Sequence, residues 1–188
     1  MQQNQKASIT GIGSYLPSKV LTNYDLEKMV DTSDDWIIQR TGIKERRIVE
    51  NGQITSDLAT YASLRAMEDA GVSPGDLDMI ITSTITPDHI FPSTSCYIQQ
   101  KIGASRASAF DILAACAGFI YALSVGESFV NSGAMKTVLV VGAECLSKIT
   151  DYTDRTTCIL FGDGAGAVVI QKSLSKHEIL STSLAADG

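Results

Sequence analysis

The stretch DILAACAGFIYALSVGESFVN, residues 111–131, decides how the rest of the chain is read. Its first residues close a strand-like segment, 108–113. From Cys116 to Asn131 it has helical character over about four turns. Glu127 is the only charge in that run, and Phe119, Ile120, Leu123, Val125, Phe129 and Val130 leave no consistently polar face. A helix apolar all round is a buried helix. In a chain of 188 residues most helices lie outside a sheet. This one predicts a layered structure with a helix in the middle.

The flanking segments agree. TVLVVGA, residues 137–143, is a continuous apolar run of the kind found in central parallel strands. DMIITSTI, residues 78–85, reads as another strand. ITSDLATYASLRAMEDAG, residues 54–71, reads as a helix capped by Ser56 and stopped by Gly71, with Pro74 beyond. Residues 22–30 and 32–42 read as short helices with Asn23 and Ser33 as N-caps and Gly42 as a stop. A further helix is predicted over 95–102. HEILSTSLAADG, residues 177–188, reads as strand-like. Alternating strands and helices predict an α/β fold.

Two glycine-rich segments invite a phosphate-binding reading and fail it. SITGIGSYLP, residues 8–17, reads as a strand and then a glycine turn. Leu16 stands where a dinucleotide loop needs its third glycine, and Pro17 follows where a helix should continue. FGDGAGAVVIQKS, residues 161–173, leads into a strand-like run at 167–171 rather than a helix. Tight turns and close backbone packing explain its glycines.

The chain is 44% hydrophobic and 19% charged, which suits a soluble globular domain with a sizeable core. A net charge of −6 argues against nucleic-acid partners. Residues 1–15 lack the basic and apolar regions of a signal peptide, and VLVVGA is far too short to span a bilayer. The expectation is a cytoplasmic protein with no membrane partner. Cys96, Cys116, Cys145 and Cys158 form no CxxC pair and have no metal-ligand spacing, so reduced thiols and no metal are expected. There are two histidines, His89 and His177. Neither context offers an orienting partner for a base.

Most buried cysteines are structural. Cys116 stands apart because it follows a strand and precedes a helix. Unpaired N–H groups at a helix mouth favour an anionic sulfur there. Ala114, Ala115, Ala117 and Gly118 let a substrate come close. A nucleophile on a strand-to-helix elbow is also the device of α/β-hydrolases.

Six segments extend that reading: GIGSYLP, DTSDDWIIQRTGIKERR, ITPDHIFPST, DILAACAGFIYAL, TDRTT and LFGDGAGAVV. In order and spacing the chain resembles the N-terminal half of β-ketoacyl-acyl carrier protein synthase III, of the thiolase-like superfamily. The resemblance implies one half, residues 1–188, of a five-layer αβαβα fold with a mixed, mostly parallel sheet. It implies an acyltransferase of fatty acid synthesis that loads an acyl group from acyl-CoA onto Cys116 and condenses it with malonyl-acyl carrier protein, with no cofactor. It assigns Thr32, Trp36, Arg40 and Arg155 to the CoA site, the adenine held between the indole of Trp36 and the guanidinium of Arg155. It assigns Leu146, Leu160 and Phe161 to the acyl pocket, with Phe91 reaching into the partner's pocket across a homodimer interface. Cys96, Cys145 and Cys158 match no catalytic position.

The family's decarboxylating histidine and asparagine lie in a second half. A C-terminal half, as a separate chain or missing segment, is therefore expected as a partner for full activity. Lys44, Arg46 and Arg47 form a basic cluster, read as a solvated face or as a contact for CoA phosphates or an acidic carrier protein. Two alternatives keep the fold: a related acyltransferase or Claisen synthase of secondary metabolism, and an inactive scaffold half.

Overall fold

The computed structural model describes residues 6–50, 52–172 and 178–187. Its centre is a five-stranded sheet of β1 (Ala7–Tyr15), β4 (Met79–Ser83), β5 (Ser108–Ile112), β6 (Thr137–Cys145) and β7 (Asp163–Lys172), in the order β1-β7-β6-β4-β5. β4 pairs in parallel with both β5 and β6, while β7 runs antiparallel to β6 and β1. Four strands therefore point one way, and the mixed, mostly parallel α/β sheet is as expected.

Side chains alternate across this sheet because the strand period is two. Ile80, Leu139, Val141 and Val169 face α3 (Thr55–Ala70) and α4 (Thr94–Ile102). Met79, Ile81, Val138, Val140 and Ile170 face α5 (Gly118–Ser132). Burying each such aliphatic side chain is worth about 1.5–3 kcal/mol, so the continuous apolar run of β6 is what two covered faces demand, and all five residues of β4 are buried.

A small arm leaves this sandwich. β2 (Lys19–Thr22) and β3 (Glu45–Ile48) form a hairpin-like pair around α1 (Asn23–Leu26) and α2 (Asp34–Thr41). Its own core is Leu26, Ile37, Cys158 and Ile159, with Trp36 partly buried against it. Ser33 caps α2 by accepting from the Trp36 amide, and Gly42 ends it in the left-handed region, both as predicted.

Several expectations are corrected. The glycines of SITGIGSY lie within β1, not in a turn after it. α3 crosses so close that a Cβ on Gly11 or Gly13 would collide with its backbone at Ala62, Ala66 and Ala70. The N-cap of the first helix is Thr22, in a capping box with Asp25, rather than Asn23. α3 starts at Thr55, where the Asp57 carboxylate accepts from the Ile54 amide, so Ser56 lies inside the helix rather than capping it. Among the described residues the tail forms one bridge, Ser8 to Glu178, instead of a strand.

The helix that opened the reading is covered on one side only within this chain. It begins at Gly118, and only one stripe of it, Gly118, Ala122, Gly126 and Val130, is buried. Its opposite face carries Ile120 at 46% exposure. His177 lies outside the described residues. Among the described residues no helix is long and apolar enough to cross a membrane.

The α3 contact makes a test. Gly13→Ala should lower stability by about 3 kcal/mol through overpacking, read as a reduced urea midpoint with an unchanged slope. A wild-type midpoint would refute the close approach.

Candidate functional site

Three parallel strands end on one edge of the sheet, and their following residues meet there. Ile85 follows β4, Cys116 follows β5 and Leu146 follows β6; all three line a cavity of about 500 Å³. Crevices at the carboxyl ends of parallel strands are the usual ligand sites of such sheets. The walls are largely apolar, with Ile149 and Phe161 opposite Ala115.

Cys116 reaches this cavity on a strained elbow. Residues Ala115–Ala117 form a 3-10 turn between β5 and α5, and Ala115 has φ 45°, the left-handed region that side chains disfavour. Such a residue costs about 1–3 kcal/mol and persists where the surroundings over-determine it. Here the surroundings are β4 and α5: a Cβ on Gly118 would collide with Ser83 Oγ. The elbow leaves Cys116 exposed. Cys145 and Cys158 are buried, and burial pushes both thiols up from their ordinary range.

Glu144 braces the opposite wall. Its carboxylate accepts from the amides of Ile85 (2.8 Å) and Thr86 (3.1 Å) and from the hydroxyls of Thr84 (3.2 Å) and Thr86 (2.5 Å). The segment after β4 is thereby tied to the end of β6.

The loop at 150–157 joins this cavity to the arm. Thr150, Asp151 and Thr157 line the cavity, while Arg155 lies against the arm. The Arg155 guanidinium sits 4.9 Å from the Trp36 ring centroid, and that of Arg40 lies 5.6 Å from it. Both distances are in cation–π range. Arg155 also donates to the Asp31 carbonyl at 2.9 Å. Indole and guanidinium touch directly, so a purine between them would have to replace this contact. The Thr32 hydroxyl oxygen is buried, with no partner among the described residues.

The structure thus groups Cys116, Leu146 and Phe161 around the cavity, and Thr32, Trp36, Arg40 and Arg155 in and against the arm. Leu160 and Phe91 do not line the cavity. Phe91 stands 87% exposed beside Ile90, itself at 101%. The His89 ring lies 5.6 Å from that of Tyr97, tilted by 44°, and does not line the cavity. The basic cluster is split by strand alternation: Arg46 points inward and is buried, while Arg47 pairs with Glu45 at 3.1 Å. Sequence reading missed Ile85, Glu144, Ile149, Thr150, Asp151 and Thr157 as lining residues. The usable signal was position, since Ile85 ends one predicted strand and Glu144 immediately follows another.

A family model described as 3-oxoacyl-[acyl-carrier-protein (ACP)] synthase III matches residues 110–188. The β-ketoacyl-[acyl-carrier-protein] synthase III of Xanthomonas campestris pv. campestris is 60% identical over 188 residues, all of this chain and 58% of that protein. The chain matches the N-terminal half of β-ketoacyl-[acyl-carrier-protein] synthase III. The corresponding protein of Caldanaerobacter subterraneus is 60% identical over 97% of this chain and 55% of its own length. The crystal structure of the synthase III from Aquifex aeolicus superposes with a TM-score of 0.88 at 55% identity, covering 90% of this chain and 55% of that one. A priming β-ketosynthase of the R1128 polyketide pathway superposes equally well, at 0.88, with 39% identity over 92% of this chain and 52% of that one. The chain spans about half the length of the curated relatives it matches. The fold is therefore the N-terminal half of the thiolase-like synthase III fold.

Exposure ranks the thiols. Iodoacetamide should alkylate Cys116 first in the native chain, with Cys145 and Cys158 modified only after denaturation. Peptide mass mapping checks this, and early labelling of Cys145 or Cys158 would contradict the burial.

Proposed function

We propose that the chain is the nucleophile-bearing, CoA-binding half of a synthase III-type acyltransferase. One observation carries the reading: the loop 150–157 is at once a wall of the Cys116 cavity and the support of Arg155 against Trp36. An acyl-CoA is a ligand of that form, with a reactive thioester at one end and a nucleotide at the other. Aromatic and guanidinium faces suit the adenine, and the apolar cavity suits the acyl chain.

In this reading Cys116, as thiolate, attacks the thioester carbonyl of acyl-CoA. The bond to the CoA sulfur breaks, and CoA takes up the proton that Cys116 lost. Decarboxylation of malonyl-acyl carrier protein releases CO2 and leaves an enolate. Its carbon attacks the acyl-Cys116 carbonyl, a carbon–carbon bond forms, and Cys116 leaves as thiolate. The covalent intermediate divides one hard condensation into two acyl transfers. Trp36, Arg155, Thr32 and Arg40 hold the nucleotide; Leu146 and Phe161 shape the acyl pocket.

The condensation step belongs to the chain together with a C-terminal half, supplied as a separate chain or as a continuation. That half carries the histidine and asparagine that polarise the malonyl carbonyl, and it covers the open face of α5 around Ile120. Complete units pair as homodimers along the outer edge of the sheet at β5, where Ile90, Phe91 and Leu113 are exposed. The likeness to a priming polyketide synthase supports a second reading, a priming condensing enzyme of secondary metabolism. The two differ in the acyl primers accepted.

Incubation with acetyl-CoA should give one acetyl adduct by intact mass spectrometry, absent from Cys116→Ala. No adduct, even with a C-terminal half added, would overturn the catalytic reading. Trp36→Ala or Arg155→Ala should slow acylation by acetyl-CoA about tenfold, the loss of one stacking or cation–π contact of roughly 1–2 kcal/mol. Acylation by acetyl-pantetheine, which lacks the nucleotide, should change little.

A further inference from the structure

Arg46 has no place in the chemistry described so far, yet it is the most deeply buried cation among the described residues, at 4% exposure. Its Nε donates to the Ile159 carbonyl at 3.0 Å, and Nη2 donates to the same oxygen. Its Nη1 donates to Asn23 Oδ1. Among the described residues it forms no ion pair with a carboxylate. Burial pushes its guanidinium down from the ordinary value. A buried charge answered only by neutral acceptors is unfavourable beside an apolar side chain of the same volume. What the guanidinium provides instead is a rigid fork that fixes two acceptors at once.

Both acceptors lead to the Trp36–Arg155 contact. On one side, Ile159 follows a compact turn in which the amides of Thr157 and Cys158 both donate to the Asp154 carbonyl. The Asp154 carboxylate accepts from the Thr156 amide and from the hydroxyls of Thr156 and Thr157. Arg155 rides on this turn, so anchoring Ile159 anchors Arg155. On the other side, Asn23 is 1% exposed and passes the tie on. Its Nδ2 donates to Asp34 Oδ1 at 2.8 Å and to the Ile43 carbonyl at 2.8 Å. Asp34 opens α2, two residues before Trp36.

We propose that Arg46 is a positioning residue for nucleotide recognition: it sets the spacing of the Trp36–Arg155 clamp by bridging Ile159 to Asn23 and, through Asn23, to α2. The proposal rests on the reading of that clamp as the CoA site. Arg46 itself hydrogen-bonds to Ile159 and Asn23 and does not line the Cys116 cavity. Its loss should weaken recognition of the nucleotide and leave attack on a short thioester nearly unchanged.

Trp36 is the only tryptophan in the chain, so its fluorescence reports the clamp directly. The test compares wild type with Arg46→Lys, which keeps the charge but loses the fork, and with Arg46→Met, which fills the volume without charge. Acrylamide quenching of Trp36 without ligand should rise about twofold in both variants as the Arg155 cover loosens. Titration with CoA, followed on Trp36, should give a Kd about tenfold weaker in both. Cys116 acylation should fall about tenfold with subsaturating acetyl-CoA and stay within about twofold with acetyl-pantetheine. Equal losses on the two thioesters would reduce Arg46 to a general structural role and overturn the proposal. So would wild-type behaviour of Arg46→Lys, which also decides the case if Arg46→Met fails to fold. If wild-type Trp36 ignores CoA while quenching still rises in Arg46→Lys, the bridge is intact as geometry and the nucleotide reading beneath it falls.

Discussion

The site depends on how closely α5 lies on the sheet. Gly118, Ala122 and Gly126 give the helix a narrow face, and a Cβ on Gly126 would sit only 3.1 Å from Ile170 and Val140. That close seat pins the helix start beside Ser83 at the end of β4. The chain leaving β5 must then turn sharply to enter the helix, which accounts for the positive φ of Ala115. The same turn lifts Cys116 to the carboxyl ends of β4, β5 and β6. Strain, exposure and location of the sulfur all follow from one packing constraint.

Around that elbow the walls are held by buried polar ties rather than by apolar packing alone. Glu144 gathers donors from the segment after β4, and Asp163 accepts from the amides of Val49 (2.7 Å) and Ser147 (2.8 Å). Arg46 ties the arm in the opposite sense, donating to the Ile159 carbonyl and to Asn23 Oδ1. Such bonds are individually modest, but leaving a buried partner unpaired is expensive. They give loops the definite shape that loops lack by themselves, and that shape is what lets one loop serve both the cavity and the clamp.

Much of this was legible in the chain. The continuous apolar run of β6 announced a central strand, DMIITSTI was readable as another strand, and Ser33 and Gly42 marked the ends of α2. Cys116 was legible because it sits between a strand-like and a helix-like run. Other features were not legible. Glycines at 11 and 13 look like turn residues in a linear string; their reason is α3, more than forty residues away in sequence. Asn23 looks like a helix cap, whereas its side chain serves Arg46 and Asp34. The apolar outer face of α5 reads as buried in sequence, yet Ile120 on that face stands 46% exposed.

The sequence by itself determined most of the strands and helices of the central sandwich, and which cysteine stands at a helix mouth. Local periodicity and capping are encoded within a few residues and need no distant partner. Tertiary structure alone decided that Ile85, Cys116, Glu144 and Leu146 share one cavity, that Arg155 lies on Trp36, and that Arg46 turns inward from a run of basic residues. These are contacts between segments far apart in the chain. Strand order and the close approach of helices to the sheet create them, and no local pattern records either.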